Sequence, residues 1–360
     1  MYGFTPTEEQ AMLIDAVARY SKNDLRPASH DAEEEKKLPP KLVDKGWELG
    51  VLQASTPENF GGFGERSVVT GVLAAEELGW GDLSGALAVM APGLFTLPIL
   101  LCGNEAQKEK YISPVIEGEW RPFTAALIEP DFDFDPNELK TTAVKDGDSY
   151  VLNGTKTYVP FAAESESMIV YAALDGVTKG FIVPKNSAGL QVSDRIKLMS
   201  LNALPLYQVT LNKVRVPGSN LLEGDFALVL ASLRVANAAL AVGVARAAFE
   251  YSRDYAKERD AFGVKIAQKQ AIAFMMAEMN IEIEATRLLT WEAAWKLDTA
   301  KPDGIEAAYL AATSAGDMAM LVTDRAVQIL GGHGYIRDHP VEMWMRNGRG
   351  FSTFTGLAIV

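Results

Sequence analysis

The chain has 360 residues, 48% of them hydrophobic and 22% charged, which is more than one ordinary core can organise, so two or three packed regions are expected. A formal net charge of −13, from 47 acidic against 34 basic residues, argues against the clustered Lys and Arg that grip a phosphate backbone, so no nucleic-acid partner is expected. Cys102 is the only cysteine, which excludes an internal disulfide and a thiolate metal cluster and suits a reducing cytoplasm.

The opening residues MYGFTPTEEQ lack the basic and then apolar pattern of a leader, and no uncharged apolar run reaches the length of a membrane span, so a cytoplasmic protein away from membranes is expected. The first predicted helix opens at a capping box, Thr7 followed three residues later by Gln10, ahead of Met12, Leu13, Ile14 and Val17. Pro27 is expected to stop it. Further helices are predicted over 40–49, closed by Gly50, over 66–78, and over 104–117 with Asn104 as N-cap. The weakly charged stretch 83–102, which contains Pro92 and Pro98, reads as one buried helix.

From about Arg121 the pattern changes to short β-rich runs at 150–152, 155–159, 168–172, 180–183 and 207–216. They predict a compact antiparallel region, with Asn153-Gly154 as a hairpin turn between two of the runs. After Pro217 three long stretches, 226–259, 266–297 and 305–330, carry apolar residues at three- and four-residue spacing and predict an antiparallel bundle. The expected fold class is mostly α with a central β domain, an α+β chain in the order helical, β, helical.

Four separated segments then resemble, in order and spacing, signature regions of the acyl-CoA dehydrogenase family. They are AALIEP at 125–130, YVLNGTKTY at 150–158, ERDAFGVKIAQKQ at 258–270 and AVQILGGHGYIRDHPVEMWMR at 326–346, and the likeness runs over residues 4–355. The resemblance implies an N-terminal helical domain (1–120), a small antiparallel β-barrel domain (121–225) and a C-terminal antiparallel four-helix bundle (226–360). It also implies FAD as cofactor, an acyl-CoA thioester as substrate, electron-transfer flavoprotein as electron acceptor, and assembly as dimers of dimers. In that family a carboxylate removes the α proton while the flavin takes a hydride from the β carbon, leaving the α,β-enoyl-CoA.

By the same resemblance Arg259 and Phe262 match an arginine and a phenylalanine that reach across a subunit interface to a neighbour's FAD. A guanidinium offers several donors to phosphate oxygens, and a ring offers the cofactor a flat apolar wall. Gln328, Gly331, Gly332 and Gly334 match a second contact of that kind, with Gln270 a further candidate on the same surface. A glycine pair ending a helix also serves as a plain cap, and both readings can hold together. Arg234 matches a position that helps to hold CoA, although a lone arginine on a helix is equally an ordinary surface charge. His30, His333 and His339 are scattered, and no metal site is assigned.

The positions that should perform the chemistry differ from the family pattern. Thr355 and Leu233 occupy the two places where a member carries its catalytic glutamate, and a threonine hydroxyl is no base near neutral pH. Ile128 replaces a flavin-facing threonine, and the acidic, bulky Asp131, Phe132, Asp133 and Phe134 replace a small-residue turn. Pro160 offers neither hydroxyl nor amide, and Leu357 and Ile359 replace polar cofactor contacts. Taken singly, the acidic loop is a solvated surface and Pro160 an edge residue.

Taken together, the resemblance implies a non-catalytic or half-site subunit of a heteromeric, heterotetrameric acyl-CoA dehydrogenase, an oxidoreductase of acyl-CoA catabolism. FAD would be bound at the interface with a paralogous subunit that carries the glutamate. Two alternatives stay open: a self-sufficient flavoenzyme of this fold with desulfinase-like or oxidase-like chemistry, and a flavin-free binding or scaffold protein.

Overall fold

The computed structural model describes residues 5–360, so residue 4, where the resemblance begins, lies outside the described residues, as does the start of the expected 1–120 segment. Helix α1 (Glu8–Tyr20) opens with the expected capping box: the Thr7 hydroxyl accepts from the Gln10 amide while the Gln10 side chain accepts from the Thr7 amide. Its end differs from expectation. Pro27 does not stop the rod, because Ser21–Leu25 form a π-helical turn that opens the backbone ahead of the proline. The chain continues as α2 (Arg26–Glu35) with Pro27 in its first turn, where a missing N–H leaves nothing unsatisfied.

Helix α3 (Pro40–Trp47) passes through Gly50, at φ +74°, into the single turn α4 (Val51–Ala54). Helix α5 (Val68–Gly81) is capped by Ser67. The stretch read as one buried helix is two, α6 (Leu83–Met90) and α7 (Gly93–Cys102), bent by 46° at Ala91-Pro92, where proline cannot donate the next helical bond. Asn104 forms a second capping box, with Gln107, at the head of α8 (Glu105–Tyr111), and α9 (Ser113–Ile116) follows.

The β region comprises β1 (Thr124–Ala126), β2 (Thr142–Asp146), β3 (Ser149–Pro160), β4 (Ser167–Leu174), β5 (Val177–Pro184), β6 (Leu190–Val192), β7 (Leu206–Pro217) and β8 (Leu221–Leu222). They form one sheet in the order β6-β7-β3-β2-β4-β5-β8, with β1 added on β4. Two expectations change here. The sheet is mixed rather than wholly antiparallel, since β4 pairs in parallel with both β1 and β2. Asn153-Gly154 is not a turn: the two expected runs are one strand, β3, and the dipeptide sits at a bulge where the register against β7 slips between Leu152 and Gly154. A Cβ at residue 154 would lie 2.4 Å from the Thr141 hydroxyl, so the glycine permits close approach rather than a reversal. The β2–β3 reversal occurs instead around Gly147, at φ +61°.

The helical remainder is α10 (Phe226–Glu258), a two-stranded hairpin of β9 (Asp260–Ala261) and β10 (Val264–Lys265), then α11 (Gln270–Asp298), α12 (Gly304–Leu330) and α13 (Val341–Gly348). Helix α10 is apolar and long enough to cross a membrane, yet 83% of its most apolar window is buried against its neighbours, which marks it as a core helix. It packs on α11, α12 and α13 and also on α5. Gly243 makes the α5 contact possible, because a Cβ there would stand 2.2 Å from the Glu76 carbonyl oxygen. The arrangement is the expected one of helical N-terminal part, central β part and C-terminal helices.

Candidate functional site

Arg234 and Thr355, far apart in sequence, line one cleft of about 330 Å³ together with Phe134, Tyr309, Asp317 and Phe351. Arg234 projects from α10 with its guanidinium 4.9 Å from the Tyr309 ring centre. Burial lowers the pKa of this guanidinium from its usual value, against the pull of Tyr309 and Asp135. Thr355 is half-buried in the segment after α13. Leu233 does not join it: that side chain packs into the apolar cluster of Tyr171, Phe226 and Ile359. Asp317, exposed on α12, is a carboxylate at this cleft that no sequence motif signalled.

The positions matched by resemblance to flavin contacts also converge. The Thr157 amide donates to the Ile128 carbonyl (2.8 Å), which docks Ile128 beside β3. Gly356, at φ +118°, lies against it, with a Cβ there only 3.4 Å from Ile128. The end of β3 is irregular: its register slips between Lys156 and Val159, and Tyr158 and Phe161 both take φ +53°. Pro160, buried, pairs opposite Leu206 and supplies no donor. Ile128, Phe161 and Leu357 belong to one apolar cluster, and the Phe161 ring meets Trp120 edge-on at 5.4 Å.

The acidic loop is gentler than its sequence implies. Asp131 and Asp133 each lie 3.0 Å from the Lys140 ammonium, Phe132 points fully into solvent, and Phe134 alone turns into the cleft. Lys140 therefore partly neutralises the two carboxylates.

Below the loop lies a pair that sequence reasoning missed, although both residues fall inside quoted signature segments. Lys156, completely buried, donates to Glu129 (2.8 Å) and to the Leu127 carbonyl (3.0 Å). Glu129 also accepts from the Lys140 amide (2.7 Å) and the Thr141 amide (2.8 Å). Burial pushes the Lys156 ammonium down to about 8 against the opposing charge of Glu129. Burial likewise pushes Glu129 up, but Lys156 and the amide donors outweigh it and leave the carboxyl below its usual value. The pair ties β1's exit to β3 and so sets where Ile128 stands.

The expected outward-facing contacts gather at one end of the helical bundle. Arg259 is exposed at the end of α10, and Phe262 is 94% exposed at the tip of the β9–β10 hairpin, where Phe262 and Gly263 both take positive φ. Gln270 opens α11, and Gln328 lies near the end of α12, both exposed. The loop after α12 is pinned to α10: the His333 ring nitrogen and the Tyr255 hydroxyl are 2.6 Å apart, and His339 and Tyr251 make a similar pair at 2.7 Å. The three glycines then separate. Gly334 is required by this chain itself, since a Cβ would fall 2.4 Å from the Val327 carbonyl, whereas a Cβ on Gly331 or Gly332 would meet nothing within 4 Å. Gly331 needs its φ of +57°, and Gly332 has no reason within this chain to be bare.

Comparison with known proteins agrees with this architecture. The N-terminal, middle and C-terminal domain families of acyl-CoA dehydrogenase match residues 7–119, 124–214 and 227–358. The chain is 34% identical to a probable acyl-CoA dehydrogenase of Bacillus subtilis, covering 96% of this chain and 94% of that one. It is 32% identical to the mitochondrial short-chain specific acyl-CoA dehydrogenase of Bos taurus, covering 95% and 85%. Among solved structures it is similar to butyryl-CoA dehydrogenase from Megasphaera elsdenii, at 30% identity and a TM-score of 0.89 over 99% of this chain and 96% of that one. A structure described as an electron transferring flavoprotein of Acidaminococcus fermentans is equally similar, at 34% identity, TM-score 0.89 and the same coverage. The chain belongs to the acyl-CoA dehydrogenase family, FAD-dependent oxidoreductases of acyl-CoA metabolism.

Proposed function

We propose that this chain is the half-site subunit of a heteromeric acyl-CoA dehydrogenase, pairing in the cytoplasm with a paralogue that carries the catalytic glutamate. Arg259, Phe262, Gln270, Gln328, Gly331 and Gly332 would complete the FAD site of that paralogue, and electron-transfer flavoprotein would accept the electrons of the complex. The observation that carries the reading is an asymmetry. Thr355, the residue matched by resemblance to the base position, shares a cleft with Arg234, while exposed Phe262 and the open space over Gly332 suit a group supplied from outside. The diphosphate of FAD fits an exposed guanidinium beside bare backbone.

A second reading is favoured by Asp317, which lines the same cleft: a self-sufficient flavoenzyme with its own chemistry. Purification of the chain alone and with its paralogue, followed by a flavin spectrum, separates the two. The half-site reading expects little FAD on the chain alone, full FAD in the complex, and loss of FAD from the complex on Arg259→Ala. Stoichiometric FAD on the isolated chain, with flavin turnover by that chain alone abolished by Asp317→Asn, would establish the second reading instead.

A further inference from the structure

The segment after α13 does more than place Thr355. It starts at the cleft, where the buried Asn237 amide donates to the Phe351 carbonyl (2.9 Å), and then runs inward past Ile128. Leu357, Ala358, Ile359 and Val360 are each 2–3% exposed. At Val360 it is latched by Arg66, a half-buried residue whose guanidinium donates to the Val360 carbonyl and to the Ser232 hydroxyl, both at 2.6 Å. Burial lowers the Arg66 pKa, and its Nε finds no acceptor among the described residues, so this cation is held here at a cost.

Ile359 and Val360 enter an apolar cavity between the N-terminal helices, walled by Gly71, Val89, Met90, Gly93 and Leu97. Two of those walls are glycines on which the plug side chains rest. A Cβ on Gly71 would stand 2.6 Å from Val360, and one on Gly93 would stand 3.6 Å from Ile359. The space left is about 30 Å³, room for a water or two. Phe351, Ser352, Thr353 and Thr355 thus line the cleft of Arg234, Ile359 and Val360 fill an apolar cavity, and residues 356–358 carry the backbone from one to the other.

We infer that residues 356–360 are an internal plug that takes the place of a long acyl tail, with Arg66 as its latch. A CoA thioester can engage the cleft at Arg234, but its tail reaches the apolar cavity only if the plug withdraws. The inference rests on the acyl-CoA reading of the cleft and is independent of whether a paralogue supplies the base.

The test is titration calorimetry of the chain with acetyl-CoA and octanoyl-CoA. The wild type is expected to bind the two within about threefold of each other, because a tail denied burial gains little. Arg66→Ala and the double change Ile359→Gly/Val360→Gly are expected to bind octanoyl-CoA at least about tenfold more tightly than the wild type, a factor that two buried methylenes supply, with acetyl-CoA unchanged. Two results overturn the plug. One is a wild type that already prefers octanoyl-CoA by about tenfold or more. The other is no gain in variants whose circular dichroism is native. The wild-type arm decides alone if the variants misfold. FAD on the isolated chain would end the half-site reading while leaving this length dependence where it stands.

Discussion

Replacing Glu129 by Gln should destabilise the β region by about 3 kcal/mol at pH 7, the low end for breaking a buried ion pair. Glutamine keeps the shape but offers one acceptor oxygen where the two carboxylate oxygens separately take the Lys140 amide (2.7 Å) and the Thr141 amide (2.8 Å), so the loss joins an unpaired amide to the missing charge facing a fully buried Lys156. That ammonium, at about 8 even with its partner, already costs about 3 kcal/mol relative to its usual 10.5. Without Glu129 it sheds its proton at neutral pH. Because the folded pKa lies below the unfolded one, the unfolded state binds the extra proton, and stability rises with pH between the two values. In the wild type that rise begins near pH 8. In the variant it begins lower, so from pH 7 to 8 the variant recovers up to about 1.4 kcal/mol on the wild type. Urea unfolding of both proteins at pH 7 and 8 measures this, and Glu129→Gln/Lys156→Met should regain at least half of the loss. A single variant within about 1 kcal/mol of the wild type, or a gap that does not narrow at pH 8, would refute the claim that the pair is ionised and mutually dependent.

Two further changes probe the helical core. Asp82 caps α6 by accepting from the Gly85 amide (2.7 Å), and burial, with Glu33 nearby, pushes its carboxyl up to about 7. A folded pKa above the unfolded one means stability declines as pH rises from about 4 to 7, by at most about 4 kcal/mol. Asp82→Asn keeps a good cap and should flatten that decline in urea titrations at several pH values, and a slope equal to that of the wild type would contradict it. Gly243→Ala sets a methyl 2.2 Å from the Glu76 carbonyl and 2.7 Å from the Trp80 amide nitrogen, backbone atoms that cannot swing away. A loss of about 2–3 kcal/mol is expected in thermal or urea unfolding, and a wild-type midpoint would show that α5 and α10 can part freely.

What the sequence made legible was mostly local. The capping box at Thr7, the N-cap at Asn104 and the spacing of apolar residues along α10, α11 and α12 depend on neighbours within a turn or two, and the structure repeats them. Asn153-Gly154 misled because its conformation is decided by strands on both sides: β2 and β7 hold β3 straight through a dipeptide that would turn if left alone. Pro27 misled in the opposite direction, since a π-helical turn makes room for what the helix rule forbids. Motif positions brought Arg234 and Thr355 to one cleft, yet Asp317 follows no motif and Lys156–Glu129 joins two segments 27 residues apart. Neither pattern nor spacing announces a partner at that distance.

The apolar cluster that contains Val17 of α1 also contains Val242 of α10 and Val360 beyond α13, so three recognisable segments share a single interior. A protease that nicked the exposed Phe262 hairpin would leave two pieces clasped together rather than two free folding units. Made separately, the first piece would present α10, and the second α12, with its inner face bare to water, and each would clump before it could be assayed. Exchange of parts between such proteins is thereby restricted to hairpin tips and surface turns, with the buried interior inherited whole.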